Sequence, residues 1–244
     1  MSEACPNLPA MDFVLIPGLW LDGSSWDEVV PVIEKAGHRA HALTLPGMVA
    51  GAARASITIG DHVDAVVAVV DDLDPADGIV LVGHSGGGAI AHAVADARPT
   101  LVDRVVYVDA VPASDGDCIN DSLPAINGEV PLPAWSVFDD EDLVDLSESL
   151  RASFRARAIP SPLLVAAGPI SLSDPRRYDV PATVIACEFP SVELRSLIEQ
   201  GSPYTAELAR IRDVSYIDLP TGHWPQFTRP VELGEVILTA LQEA

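Results

Sequence analysis

Short, continuous runs of hydrophobic residues alternate along this chain with segments whose hydrophobic residues recur every three or four positions. The runs predict strands at residues 12–17, 38–45, 78–82, 104–109, 181–188 and 214–219. The helical spacing predicts helices at about 24–37, 58–73, 86–98, 191–212 and 230–241. This alternation is typical of an α/β fold with a mostly parallel central sheet and helices on both faces.

The regular alternation stops between residues 111 and 179. This segment is rich in proline and acidic residues, and one helix is predicted near 139–158. The acids of 139–142 stand at the start of this helix and arginines stand near its end, which is the arrangement that the helix dipole favours. It lacks enough apolar residues for a core of its own. We therefore expect a single domain over residues 1–244, in which 111–179 is an inserted lid over the carboxyl ends of the strands.

The charge of the chain excludes some classes of partner. Its net charge of −22 argues against binding to nucleic acid, which requires basic side chains to neutralise phosphates, and against docking on anionic lipid. No stretch reaches the roughly 18 apolar residues of a membrane span. With nucleic acid and membrane disfavoured, we expect the partner to be a small-molecule substrate. The sequence does not indicate the oligomeric state.

The cysteines and the start of the chain bear on its location. Cys5, Cys118 and Cys187 are too few and too scattered for a disulfide framework or a zinc site, and they favour a reducing compartment. The first twelve residues show neither the basic region nor the apolar region of a secretory signal. We expect a cytoplasmic protein that uses no metal and no cofactor.

The segment from Gly83 to Gly87, GHSGG, fits the pattern G-x-S-x-G and lies directly between a buried strand and a helix of small residues. A turn this tight strains the backbone at Ser85, and glycines on either side avoid clashes. The turn would lift the Ser85 hydroxyl above the sheet, over a helix N-terminus that favours negative charge. The segment therefore predicts a nucleophilic serine.

With this motif the chain resembles the α/β-hydrolase family, in particular small cap-bearing members such as esterases and hydroxynitrile lyases, and the likeness runs from Phe13 to Leu241. The sequence IPGLW at 16–20 is similar to the family's oxyanion loop, although Pro17 stands where His is usual. The resemblance implies that the backbone N–H groups of Leu19 and Gly86 bind the developing oxyanion.

The resemblance also implies a general base at His223, which follows the last predicted strand in the sequence LPTGHWP at 219–225. Two carboxylates satisfy the family's chain order for the third member: Asp109, at the end of the strand after the nucleophile strand, and Glu188, at the end of the strand in which the acid is commoner. We favour Asp109 and keep Glu188 as the alternative. Trp20, His84 and Trp224 are the residues predicted to border the substrate pocket.

These residues predict a serine hydrolase that cleaves a small or medium ester, thioester or lactone through an acyl-enzyme on Ser85. A lyase or a cofactor-free oxygenase on the same fold is the first alternative, because fold does not determine chemistry. A non-catalytic ligand-binding protein with a degenerate site is the second.

Overall fold

A computed structural model describes residues 10–241. Residues 1–9 and 242–244 lie outside the described residues. The first of these stretches includes Cys5 and most of the segment that is expected to lack a secretory signal. The strands are β1 (Asp12–Ile16), β2 (Arg39–Ala42), β3 (Ile79–His84), β4 (Arg104–Val108), β5 (Glu129–Val130), β6 (Ser161–Pro162), β7 (Ala182–Ala186) and β8 (Val214–Asp218). The α-helices are α1 (Val30–Lys35), α2 (Ile59–Asp72), α3 (Gly86–Ala97), α4 (Glu148–Arg157), α5 (Leu163–Ala166), α6 (Ser191–Glu199), α7 (Pro225–Thr228) and α8 (Pro230–Thr239).

Six of these strands form one sheet in the order β2-β1-β3-β4-β7-β8, and every neighbouring pair is parallel. They are the six strands expected from the hydrophobic runs, so the predicted α/β fold with a parallel sheet is confirmed. The central strands β1, β3, β4 and β7 are buried along their whole length, as expected when helices cover both faces.

The strand order changes direction at β1. The chain moves from β1 outward to β2 and then returns to the other side of β1 to form β3. The loops that leave the carboxyl ends of β1 and β3 therefore diverge and open a crevice, which is the usual place for a ligand in an open parallel sheet. Leu19 lies in the first of these loops and Ser85 lies directly after β3.

The helices form a layer on each face of the sheet. One apolar cluster joins the sheet to α2, α3 and α6, with Val66, Val94 and Leu194 buried. A second cluster on the opposite face packs Ile33 of α1 and Leu233 of α8 against β1 and β3. Among residues 10–241, no helix has both the length and the apolar character needed to cross a bilayer.

Local capping explains where the helices begin. Thr58 and Asp61 form a reciprocal capping box at the start of α2, in agreement with the start expected there. The predicted helix 24–37 is divided into a short 3-10 turn at Gly23–Trp26 and α1, and Asp22 caps the first piece. The Asp22 carboxylate accepts from Ser24 N at 2.9 Å.

The helix predicted near 139–158 is shorter than expected, because α4 covers only Glu148–Arg157. Asp145 has a left-handed backbone conformation, with φ of 61°, and Ser147 accepts from Leu150 N as the N-cap. The acids of 139–142 are therefore not the first turn of this helix, and the helix dipole does not account for them. They lie in the preceding turns, where Asp142 contacts the loop that carries His223.

The segment 111–179 lies against the loops at the carboxyl ends of β1 and β8. It contains the antiparallel pair β5–β6 together with α4 and α5. Trp20 Nε1 donates to Val130 O at 3.1 Å, and Ile159 N donates to Trp20 O at 3.0 Å. The apolar residues of the segment form a third cluster with Trp20 and Trp224.

Candidate active site

Ser85 stands in a strained turn between β3 and α3. Its φ of 52° and ψ of −125° fall in a region that side-chain-bearing residues rarely adopt. The neighbouring glycines are required by close packing: a Cβ at Gly83 would lie 2.7 Å from Gly88 Cα, and one at Gly87 would lie 2.8 Å from Pro17 O. The turn therefore presents the half-buried Ser85 side chain at the carboxyl edge of the sheet.

His223 lies in the loop between β8 and α7, where its imidazole reaches Ser85. The distance from His223 Nε2 to Ser85 Oγ is 2.9 Å. The backbone of the loop is fixed by the 111–179 segment, because His223 N donates to Asp142 O at 2.9 Å. A Cβ at Gly222 would lie 2.7 Å from Val144 O, so the loop and this segment are in close contact.

Asp109 follows β4 directly and also has a left-handed backbone, with φ of 46°. Its Oδ2 lies 2.6 Å from His223 Nδ1, and its Oδ1 accepts the backbone N–H groups of Cys187 and Glu188 at 3.0 and 3.2 Å. Glu188 Oε2 is 3.5 Å from the same His223 nitrogen. Of the two candidate acids, Asp109 is thus within hydrogen-bond distance of His223 and Glu188 is at the limit of it.

The surroundings of His223 favour its protonated form. Burial alone lowers the pKa of an imidazole, but here the hydrogen bond to Asp109 and the neighbouring carboxyl groups of Asp109 and Glu188 outweigh burial and raise the pKa of His223 well above 6.5. Asp142 faces Glu188 from the other side. Burial, followed by the influence of the neighbouring Glu188, raises the pKa of Asp142 to about 6. The site therefore places three carboxyl groups, those of Asp109, Glu188 and Asp142, near a single imidazole.

His84 supports His223 from below and does not border the pocket as expected. Its ring is fully buried, and burial first, then the nearby His223 charge, lowers its pKa to about 3, so it is neutral. The neutral ring donates from Nε2 to His223 O at 2.6 Å, and its Nδ1 accepts from Gln226 Nε2 at 3.2 Å. Gln226 was not expected in this role, since a glutamine at the start of a helix gives no recognisable signal in the sequence.

A cavity of about 660 Å³ opens above Ser85 and His223. Its wall includes Leu19, Trp20, Gly86, Phe138, Tyr204 and the acids Asp109, Asp117, Asp142 and Glu188. Trp224, which was expected to border the pocket with Trp20, is 1% exposed and lies outside this wall. Its indole packs edge-on against Trp135, Phe138 and the His223 ring, so its role here is to hold that ring.

The backbone N–H groups of Leu19 and Gly86 remain available in this cavity. Neither donates to an acceptor within residues 10–241. Leu19 belongs to the loop after β1 and Gly86 is the first residue of α3, where helix amides have no intrahelical partner. Leu19 and Gly86 both line this cavity together with Ser85.

Asp109, Glu188 and His223 also form the one group of potential metal ligands found among the described residues, with ligand atoms within 4.8 Å of one another. The imidazole offers Nδ1 to this group, and that nitrogen is already in hydrogen-bond contact with Asp109. Its other nitrogen faces a serine hydroxyl. This donor set matches a protonated nitrogen held by carboxylates, so we assign no metal to it.

A strained serine at the end of a parallel strand thus has a histidine within hydrogen-bond reach, and that histidine has an acid within hydrogen-bond reach. A family model described as the alpha/beta hydrolase family matches residues 13–236. This chain belongs to the alpha/beta hydrolase family.

The relatives of the chain include enzymes named as a hydrolase and as an esterase. It is 27% identical to a pyrethroid hydrolase of Sphingobium wenxiniae, over 93% of this chain and 86% of that protein. It is 31% identical to a carbendazim hydrolyzing esterase of a Nocardioides species, over 46% of this chain and 47% of that protein, so the chain matches about half the length of this second relative.

A solved structure described as an extracellular alpha/beta-hydrolase from a Paenibacillus species superposes with a TM-score of 0.75 at 23% identity, covering 94% of this chain and 98% of that chain. Tomato methylketone synthase I superposes with a TM-score of 0.71 at 18% identity, over 96% of this chain and 98% of that chain. At these identities the likeness concerns the fold.

Proposed function

We propose that this protein is a serine hydrolase that cleaves a small or medium carboxylic ester, thioester or lactone through an acyl-enzyme on Ser85. The observation that carries the proposal is the chain of contacts from Ser85 Oγ to His223 Nε2, at 2.9 Å, and from His223 Nδ1 to Asp109 Oδ2, at 2.6 Å. The esterases among the relatives support ester cleavage, and a cavity of about 660 Å³ suits a substrate of this size.

In the first half of the reaction, His223 Nε2 accepts the Ser85 proton while Ser85 Oγ forms a bond to the carbonyl carbon. The electron pair of the C=O bond moves to oxygen, where the Leu19 and Gly86 N–H groups stabilise the negative charge. When this charge returns to the carbonyl, the C–O or C–S bond to the leaving group breaks. The leaving group takes the proton from His223.

In the second half, a water molecule gives a proton to His223 and attacks the acyl carbon. The tetrahedral intermediate uses the same two N–H groups and then collapses, which releases the carboxylic acid and returns the proton to Ser85. Asp109 accepts the Nδ1–H throughout and fixes the tautomer in which Nε2 is basic. The strained Ser85 and the neutral His84 keep the reacting atoms in place.

The 111–179 segment is the proposed lid of a single domain that spans residues 1–244. It supplies Phe138 and Asp142 to the cavity wall and contacts Trp20 on one side and His223 on the other. The cytoplasmic location stays a prediction. A lyase or a cofactor-free oxygenase on the same fold, and a non-catalytic ligand-binding protein with a degenerate site, are the competing functions.

The test is a burst assay with a short p-nitrophenyl ester, combined with labelling by a fluorophosphonate. We expect a burst of about one nitrophenol per active site and a covalent adduct on Ser85. Ser85→Ala should lower kcat by roughly 10³-fold or more. The matched control is Ser114→Ala, which removes a second serine hydroxyl from the same cavity wall and should keep activity within a few-fold.

A binding protein or a lyase would give no burst. An adduct on a residue other than Ser85, or a Ser85→Ala variant within tenfold of the unmodified protein, would contradict the proposed mechanism.

A further inference from the structure

Asp142 contacts the loop that carries His223 with its backbone, and its side chain is near Glu188. Its carbonyl accepts His223 N–H at 2.9 Å. Asp142 and Glu188 line the same cavity, and Glu188 raises the pKa of the Asp142 carboxyl group. Glu188 Oε2 in turn lies 3.5 Å from His223 Nδ1. A residue of the 111–179 segment therefore reaches the imidazole by a route separate from Asp109.

Glu188 is held in an unusual way for a carboxylate. Its Oε2 is buried and receives no hydrogen bond of standard geometry from the described part of the chain. A buried acceptor of this kind is costly unless a donor approaches it. Two donors stand nearby: the His223 Nδ1–H and, when Asp142 is protonated, the Asp142 O–H. Burial and the facing Glu188 raise the pKa of Asp142 to about 6, which favours that donor.

We propose that Glu188 and Asp142 form a second carboxyl pair behind His223, in which Asp142 holds Glu188 and Glu188 is a reserve acceptor for the His223 Nδ1–H. Both are positioning residues, since they act through His223 and do not touch the reacting atoms. The inference rests on the proposed function and deepens it, because it adds two members to the chain that ends at Ser85.

The reserve role follows from what Asp109 already does. One Asp109 oxygen accepts two backbone N–H groups, from Cys187 and Glu188, so Asp109 is fixed in place and only its other oxygen serves His223. When that oxygen is lost, Nδ1–H still has a carboxylate at 3.5 Å that can close to hydrogen-bond distance with a small side-chain rotation. The charged and titratable groups that surround this pair, besides Asp109 and His223, are Tyr204, Cys187 and His84.

A double-mutant cycle on kcat tests the pair. In the unmodified protein, Glu188→Gln should cost less than about tenfold, because Asp109 remains. In the Asp109→Asn background it should cost a further 10²-fold or so, because the reserve acceptor is then the one in use. Equal losses in the two backgrounds would overturn the proposal.

Asp142 is tested in the same Asp109→Asn background. Asp142→Ala should cost about as much there as Glu188→Gln, since Glu188 loses its support. Asp142→Asn should restore most of that loss, because its amide donates to Glu188 as a protonated carboxyl does. Glu141→Gln changes the charge of an exposed neighbour and is the matched control, expected to have no effect. Failure of the amide to restore activity would contradict the proposed role of Asp142.

An NMR titration of the His223 imidazole gives a readout that does not depend on turnover. Glu188→Gln should lower the pKa of His223, whereas Glu141→Gln should leave it unchanged. If the protein hydrolyses no ester, the proposed function fails, and this titration still decides on the carboxyl pair. An unchanged His223 pKa in folded Glu188→Gln protein, checked by circular dichroism, would overturn the pair even if ester hydrolysis is established.

Discussion

His223 should make activity and stability depend on pH in opposite directions. As the proposed general base it must be neutral to accept the Ser85 proton, yet Asp109 at 2.6 Å and Glu188 at 3.5 Å from Nδ1 favour its protonated form. Activity should therefore be lost as the pH falls through the pKa of His223. Because that pKa lies above 6.5, the acid limb of kcat/KM should be displaced toward alkaline pH.

The size of this displacement follows from the contact distances. A carboxylate at 3.5 Å contributes about 1.2 kcal/mol even at the dielectric constant of water, which is nearly one pH unit. Asp109 is nearer and contributes more, while burial of the ring opposes both. Together these effects raise the pKa of His223 to about 10, so we expect the midpoint of the acid limb to lie well above 6.5.

The same shift acts on stability with the opposite sign. The pKa of His223 is higher in the folded than in the unfolded chain, so its stabilising effect is complete below pH 6.5 and is lost as the pH rises through the folded-state pKa. Across that window kcat/KM should rise while Tm falls. His223→Gln should remove this part of the Tm dependence. An acid limb at or below pH 6.5, measured with a neutral ester, would refute the argument.

Two further pairs of substitutions test the backbone around Ser85. Leu19→Ala should keep most activity because its N–H is retained. Leu19→Pro should lower kcat on the order of 10²-fold because that donor is removed. Equal effects of the two changes in folded variants would assign the role to the Leu19 side chain. Gly83→Ala should lower the free energy of unfolding measured in urea by about 3 kcal/mol or more, because the new Cβ would meet the backbone of α3. The control is Gly60→Ala, whose new Cβ would lie 3.5 Å from its nearest neighbour, and it should leave stability unchanged or raise it. Similar stability of the two glycine variants would contradict the close packing of the turn.

The parallel sheet was predictable because its signals are local. A strand buried on both faces must be apolar throughout, and Ile79–Val82 is such a run. The strained turn at Ser85 was equally visible, since only glycines fit at Gly83 and Gly87. In these places, sequence and structure are connected by steric rules that act over a few residues.

The surroundings of His223 were less predictable, because they depend on contacts across the chain. Asp142 and Glu188 are 46 positions apart in sequence, and the acids at 139–142 were assigned to the start of a helix. His84 and Trp224 were expected beside the pocket, but both are buried and support His223 from behind. A histidine or a tryptophan can either line a substrate cavity or pack in the interior. The tertiary contacts of these two residues, and not their type, decide between these positions.

The bond from His223 N–H to Asp142 O has a consequence for protein engineering. Lid segments are attractive targets for exchange when an enzyme is to accept a new substrate. Such an exchange assumes that the sheet and its loops alone position the catalytic residues. In this chain the stretch from Asp142 to Val144 fits against Gly222 and fixes the backbone of His223. A chimera that replaces the whole of 111–179 would remove that support, whereas one that retains residues 142–144 and varies the remainder would keep it.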